Sequence, residues 1–233
     1  MTPSSDLDGF KKMAAEKAVE FVHDGMIVGL GTGSTAKHVV TAIGQKVRDG
    51  MKLRAVSTSR ETADLARVQG IPLIDTEPRW EIDVAIDGAD QVDPQFNLIK
   101  GGGGALLKEK IIASAAKQFV VVVDYTKRVS ALGQSFPLPI EVIPFGWGTT
   151  ANALAAITGA KVVLRVRDGR TFETEAGHYI VDVHLPRIDN PRDLEIRLTE
   201  IPGVVETGLF VGRAHILIVG TPQGVETLHA AKK

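Results

Sequence analysis

At 233 residues and 44% apolar content, the chain suits one large domain, or one domain with a small lobe, around a real core. A formal charge of −1, with Lys and Arg dispersed, gives no footprint for nucleic acid. The absence of cysteine excludes disulfides, a thiolate nucleophile and Cys-ligated metals, and fits a reducing, cytoplasmic setting. The first ten residues include Asp6 and Asp8 and no apolar core, so no signal peptide is expected. Apolar runs such as Phe119–Val123 fall far short of a membrane span.

In chain order, Phe10, Met13, Ala14, Ala18, Phe21 and Val22 recur at helical spacing, which predicts a helix over 8–22 ended by Gly25. A short buried strand over 26–30 leads to a helix over 34–47. A strand over 53–57, a helix over 60–69 and a strand over 71–74 follow. Residues 83–87 form a strand that runs into Asp87-Gly-Ala-Asp90, and 96–99 is short and extended. A helix over 105–118 precedes a continuous apolar strand over 119–124, of the kind found inside parallel sheets. This alternation predicts an α/β fold: a Rossmann-like, mostly parallel sheet with helices on both faces. The pattern changes after Pro137, because Pro137, Pro139 and Pro144 break up 136–145. A helix over 149–158, strands near 161–166 and 179–184 and a helix over 190–199 read as a smaller inserted α+β lobe. Residues 214–219 form a buried strand that returns to the main sheet. The expected domains are therefore 1–136 with 206–233, and the lobe 137–205.

Three segments carry the chemistry. Gly31-Thr-Gly-Ser-Thr-Ala36 lies between a strand and a helix. Its glycines permit close backbone approach, and the helix N-terminus presents free N–H groups to an anion. Thr32, Ser34 and Thr35 add hydroxyls; the plainer reading is a glycine turn with Ser34 as the helix cap. The segment also matches a dinucleotide fingerprint, which needs an acid at the end of the next strand. That strand ends Val56-Ser57-Thr58-Ser59, whose hydroxyls suit a small phosphorylated or polyhydroxy ligand better.

Asp87 and Asp90 lie at the C-terminal end of a predicted strand, the edge where ligands bind in open α/β sheets. Held close, two carboxylates push one pKa upward, which suits general acid or base work. The plainer reading is a turn signal with Asp90 as a cap. Asp93 extends the pattern to D-x-x-D-x-x-D, which is not an EF-hand spacing, so no metal is expected. The histidines, His178 and His184 included, are scattered and read as surface or lobe residues. Lys100 precedes four glycines, Gly101–Gly104, a costly run inside a compact domain unless the backbone must approach a ligand oxygen. Glu109 follows on the next helix, as a base or as a solvated residue between Lys108 and Lys110. Lys127 ends another strand and could bind phosphate, as, more weakly, could Lys11.

These residues closely resemble the type A ribose-5-phosphate isomerase family over nearly the whole length. The resemblance rests on Gly31-Thr-Gly-Ser-Thr35, Asp87-Gly-Ala-Asp90, Leu98-Ile-Lys-Gly-Gly-Gly-Gly104, Lys108-Glu-Lys-Ile-Ile112, Phe136-Pro-Leu-Pro-Ile-Glu-Val-Ile-Pro144, Ile201-Pro-Gly-Val-Val205 and Gly208-Leu-Phe210. Gln91 departs from the usual Glu, and Gly104 extends the glycine run where a small residue such as Ala occurs. The resemblance implies interconversion of ribose 5-phosphate and ribulose 5-phosphate through a cis-enediolate, without metal or organic cofactor. It implies Glu109 as the base, Asp87 and Asp90 for hydroxyl protons and ring opening, and Lys100 against developing negative charge. Thr32, Gly33, Ser34 and Thr35, with Gly101, Gly102 and Gly103, would hold substrate, and Lys11 and Lys127 would lie near the phosphate. A homo-oligomer, dimer or tetramer, is implied, with neither nucleic acid nor membrane as partner; Phe145 and Trp147 would serve an interface or fill the lobe.

Three other functions compete. A non-catalytic sugar-phosphate sensor would keep the phosphate turn but could lose Glu109, Lys100 or the Asp pair, all present here. A nicotinamide-dependent dehydrogenase lacks its ribose acid, and an amino-sugar-phosphate deaminase lacks a histidine near the motifs.

Overall fold

A six-stranded sheet is built around Phe119–Val123, a run buried on both faces and therefore central. The computed structural model describes residues 3–74 and 79–231. The chain divides into two compact units. The first comprises the described residues up to Ala89, Lys108–Lys127 and those from Arg213 onward; the second comprises Asp90–Leu107 and Arg128–Gly212.

The first unit contains α1 (Pro3–Ala18), β1 (Ile27–Leu30), α2 (Ser34–Arg48), β2 (Arg54–Ser57), α3 (Arg60–Val68) and β3 (Val84–Asp87). It continues with α4 (Leu106–Ala115), which enters from the second unit, then β4 (Gln118–Asp124), β5 (Ile216–Thr221) and β6 (Gly224–His229). The strand order is β6-β5-β4-β3-β1-β2, parallel except for β6. Successive residues of a strand face opposite sides. Val28, Leu30, Val84 and Ile86 join Val39, Val40 and Ile43 of α2 and Ala14 and Ala18 of α1 in one apolar layer. Gly29, between them, faces α4: a Cβ there would lie 2.4 Å from Ile112 Cγ2. The Rossmann-like sheet with helices on both faces is thus the fold.

Elements differ from expectation where local pattern competes with pairing. The first helix begins at Pro3 and passes into a 3₁₀ turn, Val19–Phe21. The strand expected over 71–74 is one bridge, Ala55 to Leu73, since Pro72 offers only its carbonyl to the ladder. The helix expected to reach 118 stops at Ala115, because Lys117 and Gln118 N–H groups already bond Ile82 and Asp83 carbonyls. The β6 strand, half exposed, carries no run that marks it in the sequence.

In the second unit a four-stranded antiparallel sheet has the order Val204–Thr207, Leu138–Val142, Tyr179–His184, Lys161–Leu164. Helices Trp147–Thr158 and Pro191–Thr199 belong to the same unit. The prolines do not break up 136–145 as expected. Leu138–Val142 is a fully buried inner strand. Pro139 lacks a donor but keeps its carbonyl, which accepts from Gly208 N–H at 2.7 Å. Trp147 packs into this unit's core, whereas Phe145 is 90% exposed.

The unit boundary also falls elsewhere than the expected division into 1–136 with 206–233, and 137–205. Residues 90–107 and 128–136 pack with the second unit, as does 206–212. The reason is a three-stranded antiparallel sheet in which Leu98–Ile99 pairs with both Gln91–Val92 and the distant Leu209–Phe210.

One side chain ties β1 to the segment before β3. Asp83 Oδ1 accepts from Lys117 Nζ at 2.7 Å and Oδ2 from Ile27 N–H at 2.9 Å. The Lys117 hydrogen bond, then the Ile27 N–H, hold the Asp83 carboxyl below its ordinary value of 3.8. A depressed folded-state value adds stability above 3.8 that is lost as pH falls through the folded value. Asp83→Asn is expected to cost about 1 kcal/mol at pH 7. Urea denaturation in neutral and strongly acid buffer checks this, the wild-type advantage shrinking in acid.

Candidate active site

The strand order reverses between β1 and β3: the chain leaves β1 for β2 on one side and returns to β3 on the other. Ligands bind at the carboxyl edge of such a switch point. Two segments end there, the turn after β1 and Asp87 at the end of β3. They touch through the backbone. Asp87 Oδ1 accepts from Thr32 N–H at 3.2 Å and from Gly88 N–H at 2.7 Å. Gly31 makes the approach possible: a Cβ there would lie 2.0 Å from Asp87 Oδ1. Gly33, at φ 109°, caps α2 in a conformation that favours glycine. The α2 N-terminus therefore presents its unpaired N–H groups beside the buried Asp87.

The hydroxyls sort into two groups. Thr32 Oγ1 bonds Thr58 Oγ1 at 2.6 Å and Ser59 Oγ at 2.8 Å, and Thr62 Oγ1 donates to Gly31 O at 2.8 Å. Thr58, Ser59 and Thr62 are buried, so the hydroxyls after β2 brace the turn instead of facing a ligand as the sequence suggested. Ser34 is exposed, and its Oγ accepts from Lys11 Nζ at 3.2 Å. Phe10, beside Lys11, makes an edge contact with Tyr125 at 5.9 Å between centroids, in the 3₁₀ turn Tyr125–Lys127 after β4. Both lysines thus belong to the carboxyl edge that carries the turn.

Glu109 reaches this edge by topology. The α4 helix crosses from β3 back to the parallel β4, so its N-terminus stands at the carboxyl edge of the sheet. Glu109 lies in its first turn, only 6% exposed, and so is not the solvated residue of the plainer reading. Ile112, three residues on, packs on Gly29 of β1.

The second unit holds the other candidates. Gln91 pairs with Ile99, and Asp90 N–H donates to Ile99 O at 2.8 Å, which sets Asp90 opposite Lys100. Lys100 N–H donates to Gly208 O at 2.9 Å, and Lys100 Nζ lies 5.6 Å from the Phe210 ring centroid. Lys100 is 3% exposed. Asp90 Oδ2 accepts from Gly102 N–H at 2.8 Å, so the first carboxylate of the glycine loop's surroundings is already engaged with its backbone. Asp93 spends its carboxylate within its own loop, on the N–H groups of Gln95 and Asn97 and on Asn97 Nδ2. Gln91 both donates, to Ser135 Oγ, and accepts, from Gly133 N–H. That double role is one an amide can play and an ionised carboxylate cannot. His178 bonds the buried Glu141 at 3.0 Å and serves the lobe.

The family model of ribose 5-phosphate isomerase A (phosphoriboisomerase A) matches residues 54–224. The ribose-5-phosphate isomerase A of Nitrobacter hamburgensis is 48% identical over 228 residues, covering 95% of this chain and 98% of that protein. The chain belongs to the ribose 5-phosphate isomerase A family. Two solved structures agree across the fold. A D-ribose-5-phosphate isomerase in complex with phospho-erythronic acid is 44% identical, with a TM-score of 0.92 over 96% of this chain and 99% of that one. The ribose 5-phosphate isomerase of Plasmodium falciparum is 36% identical, with a TM-score of 0.94 over 97% and 100%. For this family member, the first unit gathers Thr32, Gly33, Ser34, Thr35, Asp87, Glu109, Lys11 and Lys127, and the second gathers Asp90, Lys100, Gly101, Gly102 and Gly103. Sequence reasoning missed Thr62, which braces the turn, and Arg165, which donates to the Gly101 carbonyl at 2.7 Å. Neither lies in a motif, and nothing in local spacing points to them.

The tight packing of Gly31 on Asp87 yields a sharp outcome. Gly31→Ala must displace the Asp87 carboxylate and is expected to cost about 1–3 kcal/mol of stability. Thermal unfolding measures that loss, and titration with a sugar phosphate should show binding weakened at least tenfold, by about 1.4 kcal/mol or more.

Proposed function

We propose that the chain interconverts ribose 5-phosphate and ribulose 5-phosphate by proton transfer through a cis-enediolate. The observation that carries the reading is the buried Glu109 at a helix N-terminus on the same sheet edge as the Asp87-anchored phosphate turn. The resemblance to enzymes of that name over nearly the whole chain supports it. So does the phosphorylated acid in a relative's structure, a ligand with the same phosphate handle.

The α2 N-terminus with Ser34, Thr35 and Lys11 takes the phosphate, with Lys127 nearby. Binding energy is thereby gained away from the reacting carbons, where it can orient them. Asp87 and Asp90 exchange protons with the sugar hydroxyls and open the ring. Glu109 removes the C2 proton of the open aldose; the electron pair moves into a C1–C2 double bond and the carbonyl oxygen becomes an oxyanion. Lys100 and the N–H groups of Gly101 and Gly103 stabilise that charge, while Gly102 N–H holds Asp90. A proton passes from the C2 hydroxyl to O1, and Glu109 returns its proton to C1, leaving the ketose. A placed general base contributes roughly 10²–10⁴-fold, and one donor to the oxyanion about 3–4 kcal/mol. Assembly as a dimer or tetramer belongs to the same reading, and light scattering tests it.

Turnover of ribose 5-phosphate, with a chelator present, tests the reaction. The wild type should be active and Glu109→Gln reduced by about 10²–10⁴-fold. Activity abolished by the chelator would move the mechanism to a metal-assisted hydride shift. A wild type that binds ribose 5-phosphate without converting it would be a sensor. Lys11→Met is expected to raise KM about tenfold with kcat little changed, as for loss of one charged hydrogen bond to bound phosphate.

A further inference from the structure

The Gly101–Gly102 peptide is held from both sides, and one hold comes from outside every motif of the site. Arg165 Nη1 donates to Gly101 O at 2.7 Å and to Gly102 O at 3.3 Å. The rest of the guanidinium is committed to Asp182 as a fork, Nε to Oδ2 at 2.9 Å and Nη2 to Oδ1. The two side chains are 11% and 16% exposed, which shields the pair from water. On the opposite side of the same peptide plane, Gly102 N–H donates to Asp90 Oδ2 at 2.8 Å. The C=O and N–H of a trans peptide point in opposite directions. Arg165 and Asp90 therefore fix one peptide between them. Because Gly102 O also turns toward Arg165, the N–H of Gly103 is directed away from the guanidinium, as Gly102 N–H is. Two successive N–H groups pointing one way make an anion-binding concavity.

The hairpin that carries Arg165 also grips the far end of the glycine run. Phe172 N–H donates to Arg165 O at 2.9 Å, which pairs the two residues across the turn of Val166–Arg167 and Arg170–Thr171. The Phe172 ring fills the space beside Gly104, where a Cβ would lie 2.3 Å from Cζ. Arg167 lies over that ring, 4.3 Å from its centroid. A run of four glycines has little rigidity of its own. Here the rigidity comes from the hairpin.

We infer that Arg165, anchored by Asp182, is a positioning residue that orients the Asp90 carboxylate and the Gly103 N–H for the reaction. Its kinetic consequence rests on the isomerase reading; its geometric consequence does not. Two readouts on the full chain keep these apart. The first is the Gly102 amide proton in a ¹⁵N-resolved NMR spectrum, which a carboxylate acceptor moves downfield. Arg165→Gln should shift it upfield, in the direction that Asp90→Asn shifts it. The second is kinetic. Arg165→Gln should lower kcat for ribose 5-phosphate by about 10–10²-fold, as for a misplaced group, while KM changes less than about threefold. Arg165→Lys keeps the charge but not the fork, so it should recover only part of kcat. An unmoved Gly102 signal in folded Arg165→Gln protein, or an unchanged kcat, overturns the proposal. If Arg165→Gln does not fold, Asp182→Asn, which loosens the guanidinium without removing it, carries the same two readouts. A wild type without turnover would refute the isomerase reading, and the Gly102 signal would still decide the positioning role.

Discussion

The contact between Gly31 and Asp87 constrains the rest of the first unit. A carboxylate at the end of one strand sits where a side chain of the neighbouring turn would have to be. Two N–H groups hold it, from Thr32 and Gly88. A buried charge is costly unless donors surround it, and backbone donors come only with a fixed backbone. The turn after β1 must therefore keep its path, and Thr58, Ser59 and Thr62 keep it through Thr32 and the Gly31 carbonyl. The start of α2 and its N–H groups follow from that path.

The second unit solves a different problem with the same means. Four consecutive glycines allow the backbone to approach a ligand, but they leave its direction open. Cross-strand pairing fixes Lys100 at one end, between Asp90 and Gly208. Arg165 and Phe172 hold the remainder, one through two carbonyls and the other through bulk. Preorganised N–H groups act on developing charge without a reorganisation cost during the reaction. The buried Arg165–Asp182 pair is thus better explained by the direction it gives the peptides than by stability, to which buried ion pairs add little.

Lysines appear in two settings that chemistry separates. Lys100 is buried and lies over an aromatic ring, where a charge acts over short range with little screening. Lys11 is partly exposed and bonds a surface hydroxyl, a setting for a mobile phosphate. In the proposed reaction this division would put a fixed charge at the reacting carbons and an accessible one at the handle, where binding energy is gained remotely.

The sequence by itself determined the parallel α/β sheet, the glycine turn between β1 and α2, and the candidates Asp87, Asp90, Lys100 and Glu109. Strand and helix periods are local, and glycine turns and acidic turns are written in consecutive residues. Only the tertiary structure decided that Leu138–Val142 is an inner strand despite Pro139, because its partners lie dozens of residues away. The same holds for the pairing of Leu98–Ile99 with Leu209–Phe210, which moved 90–107 out of the first unit. Burial made Glu109 a base candidate and not a solvated face residue, and burial likewise turned the hydroxyls after β2 from ligand groups into braces. Arg165 was invisible for the same reason. Its partners are backbone carbonyls, which every residue possesses, so no residue type at any spacing could have announced the contact.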